Sequence, residues 1–313
     1  MINGIINVYK EKGFTSHDVV AKLRGIFKQK KIGHTGTLDP DAEGVLPVCL
    51  GKATRVCDLL TDKDKEYETI LLLGKTTDTQ DISGTVLAES QVSCTETELG
   101  KIIDGFVGDY SQIPPMYSAL KVNGKKLCDL ARAGVEVERR PREVKIFSID
   151  ILEVAIPRIK MRVHCSKGTY IRTLCHDIGN LAGCGGCMES LLRTRVADFN
   201  IENAIRLSEI EAQAQIVRAG HADKEFVRED FADFIYNTDS VFMQHPQVRV
   251  REEFSRLLYN GSPLKPDWIC NWNEQYKSHT LRVYDSDHAF IGIYRWEDNR
   301  RDIRPVKIFM ESN

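Results

Sequence analysis

The chain has no hydrophobic run long enough to cross a membrane or to act as an export signal. Its first apolar stretch, in MINGIINVYKEKG, lasts about six residues before charges set in, against the roughly 20 residues that span a bilayer. A cytoplasmic protein is expected, with no membrane partner. No internal repeat or low-complexity tract is present, which excludes solenoid and fibrous architectures. Nine cysteines, an odd number without a secretory leader, point to free thiols and away from a disulfide framework. Only one Cys-x-x-Cys pair occurs, Cys184 and Cys187. Cys165, Cys175 and His176 lie near it in sequence, yet a second pair is missing and Cys175 falls on the apolar face of a helix pattern. No metal is therefore assigned.

A dominant charge is missing too: 43 Lys+Arg against 45 Asp+Glu leave −2, which at first argues against a nucleic-acid partner. The average hides segregation. Residues 101–200 hold 16 basic and 11 acidic side chains, whereas 201–240 hold 4 and 9, so an acidic segment masks a basic one. The densest basic run is Lys121 to Lys145, with 8 basic and 4 acidic residues; on charge alone it is a solvated face or a polyanion contact.

Length (313 residues) and a 42% hydrophobic content suit one large domain plus a smaller one. Thr15 with Asp18, and Thr95 with Glu98, read as capping boxes before apolar stripes. Ser208 with Glu211 reads as a third, opening a helix towards Ala219. Lys125–Ala133 is a shorter helix candidate, and Thr169–Ala182 places Ile171, Leu174, Cys175, Ile178 and Leu181 on one face. Strands are expected at Ile5–Tyr9, Tyr67–Leu73, Val144–Val154 and Ile159–Cys165. Helices and strands follow no regular βαβ rhythm, which favours an α+β domain. Beyond about residue 245, LRVYD, AFIGIY and IRPVKIF indicate a small β-rich module.

GHTGTLDPDAEGVLP, Gly33 to Pro47, packs three carboxylates into five positions. Asp39-x-Asp41-x-Glu43-Gly44 imitates a calcium loop, but the required twelfth-position carboxylate falls on Leu50. A polar surface turn is the plain alternative, for which the glycines and Pro40 are suitable material. Two details go further. VLPVCLGKATRV continues like buried structure, and Asp39 precedes a proline, which pushes its backbone out of helical space and fixes its direction. Asp41 and Glu43 read as solvated loop residues.

GHTGTLDP followed by GVLPVCLGKATR resembles the catalytic motif of the TruB-type tRNA pseudouridine synthases. KGFTSHDVV resembles the N-terminal motif of that family, KEYET its tyrosine motif, QIPPMYSALKVNGKKLCDLARAGVEVERRPREV its RNA-gripping insertion, and SKGTYIRTLCHDIG and SLLRTR its arginine and leucine motifs. This ordered set runs over about residues 5–200. The resemblance implies a pseudouridine synthase fold with a mixed, mainly antiparallel sheet flanked by helices and loops. It also implies a catalytic domain over residues 1–244, with the insertion at about 112–145, and a PUA-like RNA-binding module over 245–313.

The chemistry implied is isomerisation of uridine 55 in the T-loop of tRNA to pseudouridine, without a cofactor. By motif position Asp39 is the nucleophile, attacking C6 of the base or C1′ of the ribose; a carboxylate is ionised at neutral pH and can also leave. Arg172 matches the arginine that pairs with it. Tyr67 matches the tyrosine that stacks on the uracil and is a candidate for the C5 proton. The stacked uridine must be extruded, and His34 matches the histidine that fills the gap. Tyr170 and Leu191 match residues lining the base pocket, and Lys10 sits in the N-terminal motif near the site. Lys121, Lys125, Arg132, Arg139, Arg140 and Arg142 become candidates for phosphate contact. A monomer suffices for this chemistry.

The chain departs from the family pattern at Glu11, where proline is usual after the motif lysine, and at Cys187 and Met188, where Ala followed by His or Tyr is common. A protein that only binds or folds the T-loop is the rival reading, against which stand intact Asp39, Tyr67 and Arg172. A glycosidase with paired carboxylates is a weaker third.

Overall fold

The structure is a computed structural model that describes residues 1–220 and 225–310; residues 221–224 and the last three of the 245–313 segment lie outside the described residues. Its main feature is an 11-stranded sheet. The central path runs Ile205–Arg206, Gly4–Lys10, Glu43–Leu50, Gly186–Val196, Lys65–Leu73, Arg158–Cys165, Arg142–Ala155 and Gly108–Gln112. Two pairings on this path are parallel, Gly4–Lys10 with Ile205–Arg206 and Glu43–Leu50 with Gly186–Val196; the others are antiparallel. The α+β expectation holds.

The two strands nearest the catalytic-motif candidate are buried on both faces, which is why their sequences read as continuous apolar runs. Ile6, Val8, Leu46 and Val48 face the helices Ser16–Phe27 and Leu207–Gly220, whereas Ile5, Val45 and Cys49 face the other way, towards Val56, Leu60 and Phe242. Lys65–Leu73 turns Tyr67, Leu71 and Leu73 inward, onto the helices Glu96–Asp104 and Ile171–Leu181. Both of the first two capping boxes form: Thr15 receives the Asp18 amide and Thr95 the Glu98 amide, each acid reaching back to its cap.

Three expectations need correction. The helix assigned to Ser208 begins at Leu207, and its first-turn acid is Glu209, which accepts the Arg206 amide at 2.9 Å. Lys125–Ala133 is helical only over Leu127–Arg132, because Lys125 and Lys126 pair with Lys121 and Val122 in a hairpin. Leu181 is 67% exposed at the end of its helix, while Ile171, Leu174, Cys175 and Ile178 are buried. Cys187 and Met188 are buried residues of the strand Gly186–Val196. Gly179 sets that helix against this strand: a Cβ there would come within 2.2 Å of the Gly186 amide nitrogen.

Residues 247–308 form a separate four-stranded sheet of Gln247–Arg249, Thr280–Tyr284, Phe290–Glu297 and Asp302–Ile308, with its own core of Val248, Leu281, Ile291 and Tyr294 among others. It is seated on the larger sheet by Ile293 and Phe309. Arg55 donates from Nη1 to the carbonyls of Ile308 and Met310, each at 2.8 Å, and Lys307 pairs with Asp58. No helix of the described residues is long and apolar enough to cross a membrane.

Candidate active site

Asp39 lies in the loop between the strands Ile32–His34 and Glu43–Leu50, opposite the first turn of the helix Ile171–Leu181. That helix places Arg172 so that Nε is 3.1 Å from Asp39 Oδ2 and Nη2 is 3.3 Å from Oδ1, a two-pronged pairing suited to a planar guanidinium. The arginine side chain is 7% exposed and the aspartate 40%. One oxygen-bearing face of Asp39 is thus gripped while the group still opens to solvent.

The remaining Arg172 donors are also occupied. Nη1 lies 3.4 Å from Asp81 Oδ2 and donates to the Thr79 carbonyl at 3.2 Å, and Nη2 donates to the Tyr117 carbonyl at 2.9 Å. Asp81 is itself fixed, accepting at Oδ1 from the hydroxyls of Thr79 (2.8 Å) and Ser83 (2.6 Å). Its loop is tied to the sheet by the Ile82 amide donating to Met188 O and the Met188 amide donating to Gln80 O. Sequence reasoning missed Asp81, since DTQDISG reads as one more polar turn.

Burial raises the Asp39 carboxyl above the ordinary aspartate range; Arg172 opposes this, Asp81 adds to it, Lys10 opposes it and Asp41 adds. A carboxylate held as an anion mainly by one fork is a better base and nucleophile than one in water.

Two buried cations shape the loop. Lys10 is fully buried and donates from Nζ to the carbonyls of Ala42 (2.6 Å), Pro40 (3.1 Å) and Glu11 (3.1 Å). Burial lowers its pKa to about 8 against the pull of Glu43, Asp39 and Asp41. It braces the loop from beneath, near the site as the N-terminal motif places it. Arg193, 1% exposed, donates to Val45 O at 2.7 Å, Gly36 O at 3.2 Å and Thr37 O at 3.5 Å. It was not singled out, because an arginine in an alternating strand reads as solvent-facing. Gly44 makes room for its backbone: φ is +105°, and a Cβ would lie 2.2 Å from Arg193 O.

Tyr67 is the register partner of Arg193 on the adjoining strand. Burial raises its phenol, and Arg193 beside it pulls the other way. His34 ends its short strand with Nδ1 accepting the Gly36 amide at 3.3 Å. Burial, Arg193 and His17 hold its ring below the usual pKa, so it is neutral at pH 7. Tyr170 precedes the Arg172 helix and is locked by Gln112, which accepts its amide (2.8 Å) and donates to its carbonyl (2.9 Å). Leu191 packs against the cluster containing Leu38 and Tyr67. Asp41 is exposed, but Glu43 is no free loop residue: it opens a strand and accepts the Tyr9 hydroxyl at 3.3 Å.

The insertion candidates divide. Lys121, Lys125, Arg132, Arg140 and Arg142 are exposed, and Arg132 lies 3.9 Å from Asp129. Arg139 turns inward, donating to Pro114 O at 3.2 Å and to Glu136 at 3.4 Å. It therefore holds the insertion together instead of lining its outer face. Among the described residues no three His, Cys, Asp or Glu side chains converge to hold a metal.

Comparison with known proteins bears on this arrangement. Residues 24–171 match the family model described as TruB family pseudouridylate synthase, N-terminal domain, and residues 172–241 match that of the tRNA pseudouridylate synthase B C-terminal domain. A protein of Lachnoclostridium phytofermentans named tRNA pseudouridine synthase B is 51% identical, covering 99% of this chain and 100% of its own. One of the same name from Alkaliphilus oremlandii is 40% identical, over 99% of each. Among solved structures, one described as a Cbf5-Nop10-Gar1 complex aligns with a TM-score of 0.72 at 27% identity, over 99% of this chain and 85% of the matched one.

Proposed function

The chain belongs to the TruB family of pseudouridine synthases and is an isomerase, and from that premise we propose that it converts uridine 55 in the T-loop of tRNA to pseudouridine with Asp39 as nucleophile. Modification of tRNA follows from the relatives, which carry the name tRNA pseudouridine synthase B over their full length. The observation that carries the assignment of Asp39 is its two-pronged contact with the buried Arg172.

The target uridine leaves the T-loop stack at a cost of roughly a few kcal/mol, and neutral His34 occupies the space it vacates. Asp39, anionic because Arg172 faces it, attacks C6 or C1′. The bond from C1′ to N1 breaks, the uracil turns, and C1′ joins C5. Asp39 leaves, C5 gives up its proton and N1 gains one, so atoms balance without a cofactor. In this reading Tyr67 stacks on the base with Arg193 behind its phenol, and because burial keeps that phenol protonated it is a candidate for handling the C5 proton only by passing its own proton on as it takes one up. Exposed cations of the insertion, Lys121, Lys125, Arg132, Arg140 and Arg142, neutralise phosphates of the T-arm. We take residues 1–244 as the catalytic domain and 245–313 as a PUA-like module making a second RNA contact.

The test is mapping of pseudouridines in tRNA from cells lacking the protein. Loss confined to position 55 and restored by the wild-type gene, but not by an Asp39→Asn gene, is the expected result. Unchanged position 55 refutes the substrate; a T-loop hairpin that is bound tightly and never turned over favours a binding or folding protein.

A further inference from the structure

The rim of the site carries a group of side chains that the reaction leaves unused. Glu11 places its carboxylate 2.6 Å from Nη1 of Arg206. The Arg206 guanidinium lies 4.7 Å above the centre of the Tyr9 ring, within cation–π range, and the two residues are register partners in a parallel strand pair. The Tyr9 hydroxyl donates to Glu43 Oε1 at 3.3 Å. Burial and the Glu43 charge raise this phenol, so it keeps the proton it donates.

Glu43 is where the Asp39 loop rejoins the sheet, just after the Ala42 amide closes a turn onto the Asp39 carbonyl at 3.1 Å. Lys10 holds the backbone of Pro40 and Ala42, and Arg193 that of Gly36, Thr37 and Val45. Tyr9 is the hydrogen-bond donor to the Glu43 side chain among the described residues.

We propose that Tyr9 and Arg206 are positioning residues for the reaction: Arg206, tied by Glu11, fixes the Tyr9 ring, and Tyr9 fixes Glu43, closing the C-terminal end of the loop that aims Asp39. This deepens the reading of Asp39 as nucleophile and rests on it. Where proline is usual after the motif lysine, this chain has an acid whose charge is cancelled locally by Arg206, so the rim presents no net repulsion to RNA from that pair. Glu43 is also the strongest charge holding up the Lys10 cation, which couples its placement to the brace beneath the loop.

Tyr9→Phe is the decisive variant, because it keeps the ring under Arg206 and removes only the hydroxyl. Single-turnover and steady-state kinetics on a T-loop hairpin are measured for Tyr9→Phe, Glu43→Ala, their double mutant and Arg206→Ala, with Asp39→Asn alongside. Losing one hydrogen bond to a charged group lowers kcat about tenfold in Tyr9→Phe and in Glu43→Ala, with KM within about twofold of wild type, and the double mutant is no worse than the poorer single. Arg206→Ala lowers kcat about threefold, the scale of an exposed cation–π contact.

Additive losses in the double mutant, or a melting temperature that falls while kcat stays, overturn the proposal. So does a silent Tyr9→Phe beside an Arg206→Ala that raises KM and flattens the salt dependence, since Arg206 is then an RNA contact. Turnover by Asp39→Asn refutes the nucleophile instead, whereas an inert Asp39→Asn with uncoupled Tyr9 and Glu43 refutes the clasp alone.

Discussion

Arg172→Lys keeps a cation opposite Asp39 and removes the fork, so it separates charge from geometry. The guanidinium makes two contacts to Asp39, at 3.1 and 3.3 Å, one to Asp81 at 3.4 Å, and one each to Thr79 O and Tyr117 O. A lysine ammonium has three donors at a single point, so at least two of these five contacts are lost. At roughly 1.5 kcal/mol for each charge-assisted bond the loss is about 3 kcal/mol. Asp39 is 40% exposed, so water replaces part of what is lost, and about 2 kcal/mol is the expected cost. That is about a 30-fold fall in kcat. C5 tritium release from labelled T-loop RNA, followed from pH 4.5 to 8, measures it. The acid limb stays near its wild-type position because the charge is retained. A fall of less than threefold, or a limb displaced upward by a full unit, refutes the idea that the fork aims Asp39 and that its charge keeps the carboxylate ionised.

Because burial raises Asp39, activity rises with pH through a limb above about 3.9, the ordinary aspartate value; Asp81→Asn removes a like charge and moves that limb down, which a pH profile of kcat/KM detects. An acid whose folded pKa is raised binds its proton more tightly when folded, so its contribution to stability is full below the unfolded value and is lost as pH rises through the folded one. Asp39→Asn is accordingly inactive yet melts at or above the wild-type temperature at pH 7 by calorimetry. Arg140→Ala with Arg142→Ala weakens tRNA binding and reduces the slope of log Kd against log salt by up to about 2. Arg139→Ala, which cuts ties within the insertion, increases protease cleavage there.

Much of this site is legible in the sequence because its parts sit in contiguous motifs. Asp39 before Pro40, and Arg172 at the start of an amphipathic helix, are separated by 133 positions, and each still stands out locally. What escapes is burial of charge. Lys10 and Arg193 are residue types that usually mark surface, and only the fold shows that their donors end on backbone carbonyls of the loop that carries Asp39. The strand Gly186–Val196 is hidden for another reason. Its first residues are Gly, Cys and Met, poor in β-branched signal, and its pairing to Lys65–Leu73 is a long-range choice that overrides local propensity. Leu181 shows the reverse, a residue with the right helical spacing that projects past the last turn of the core.

The central claim is that Asp39, held by Arg172, forms and breaks the bonds at uridine 55. Single-turnover C5 tritium release from T-loop RNA labelled at that uridine tests it most directly, with Asp39→Asn at saturating enzyme and its RNA affinity measured beside it. Wild-type protein releases the label, while the variant binds RNA with unchanged affinity and releases none above background. Release by the variant at the wild-type rate contradicts the account.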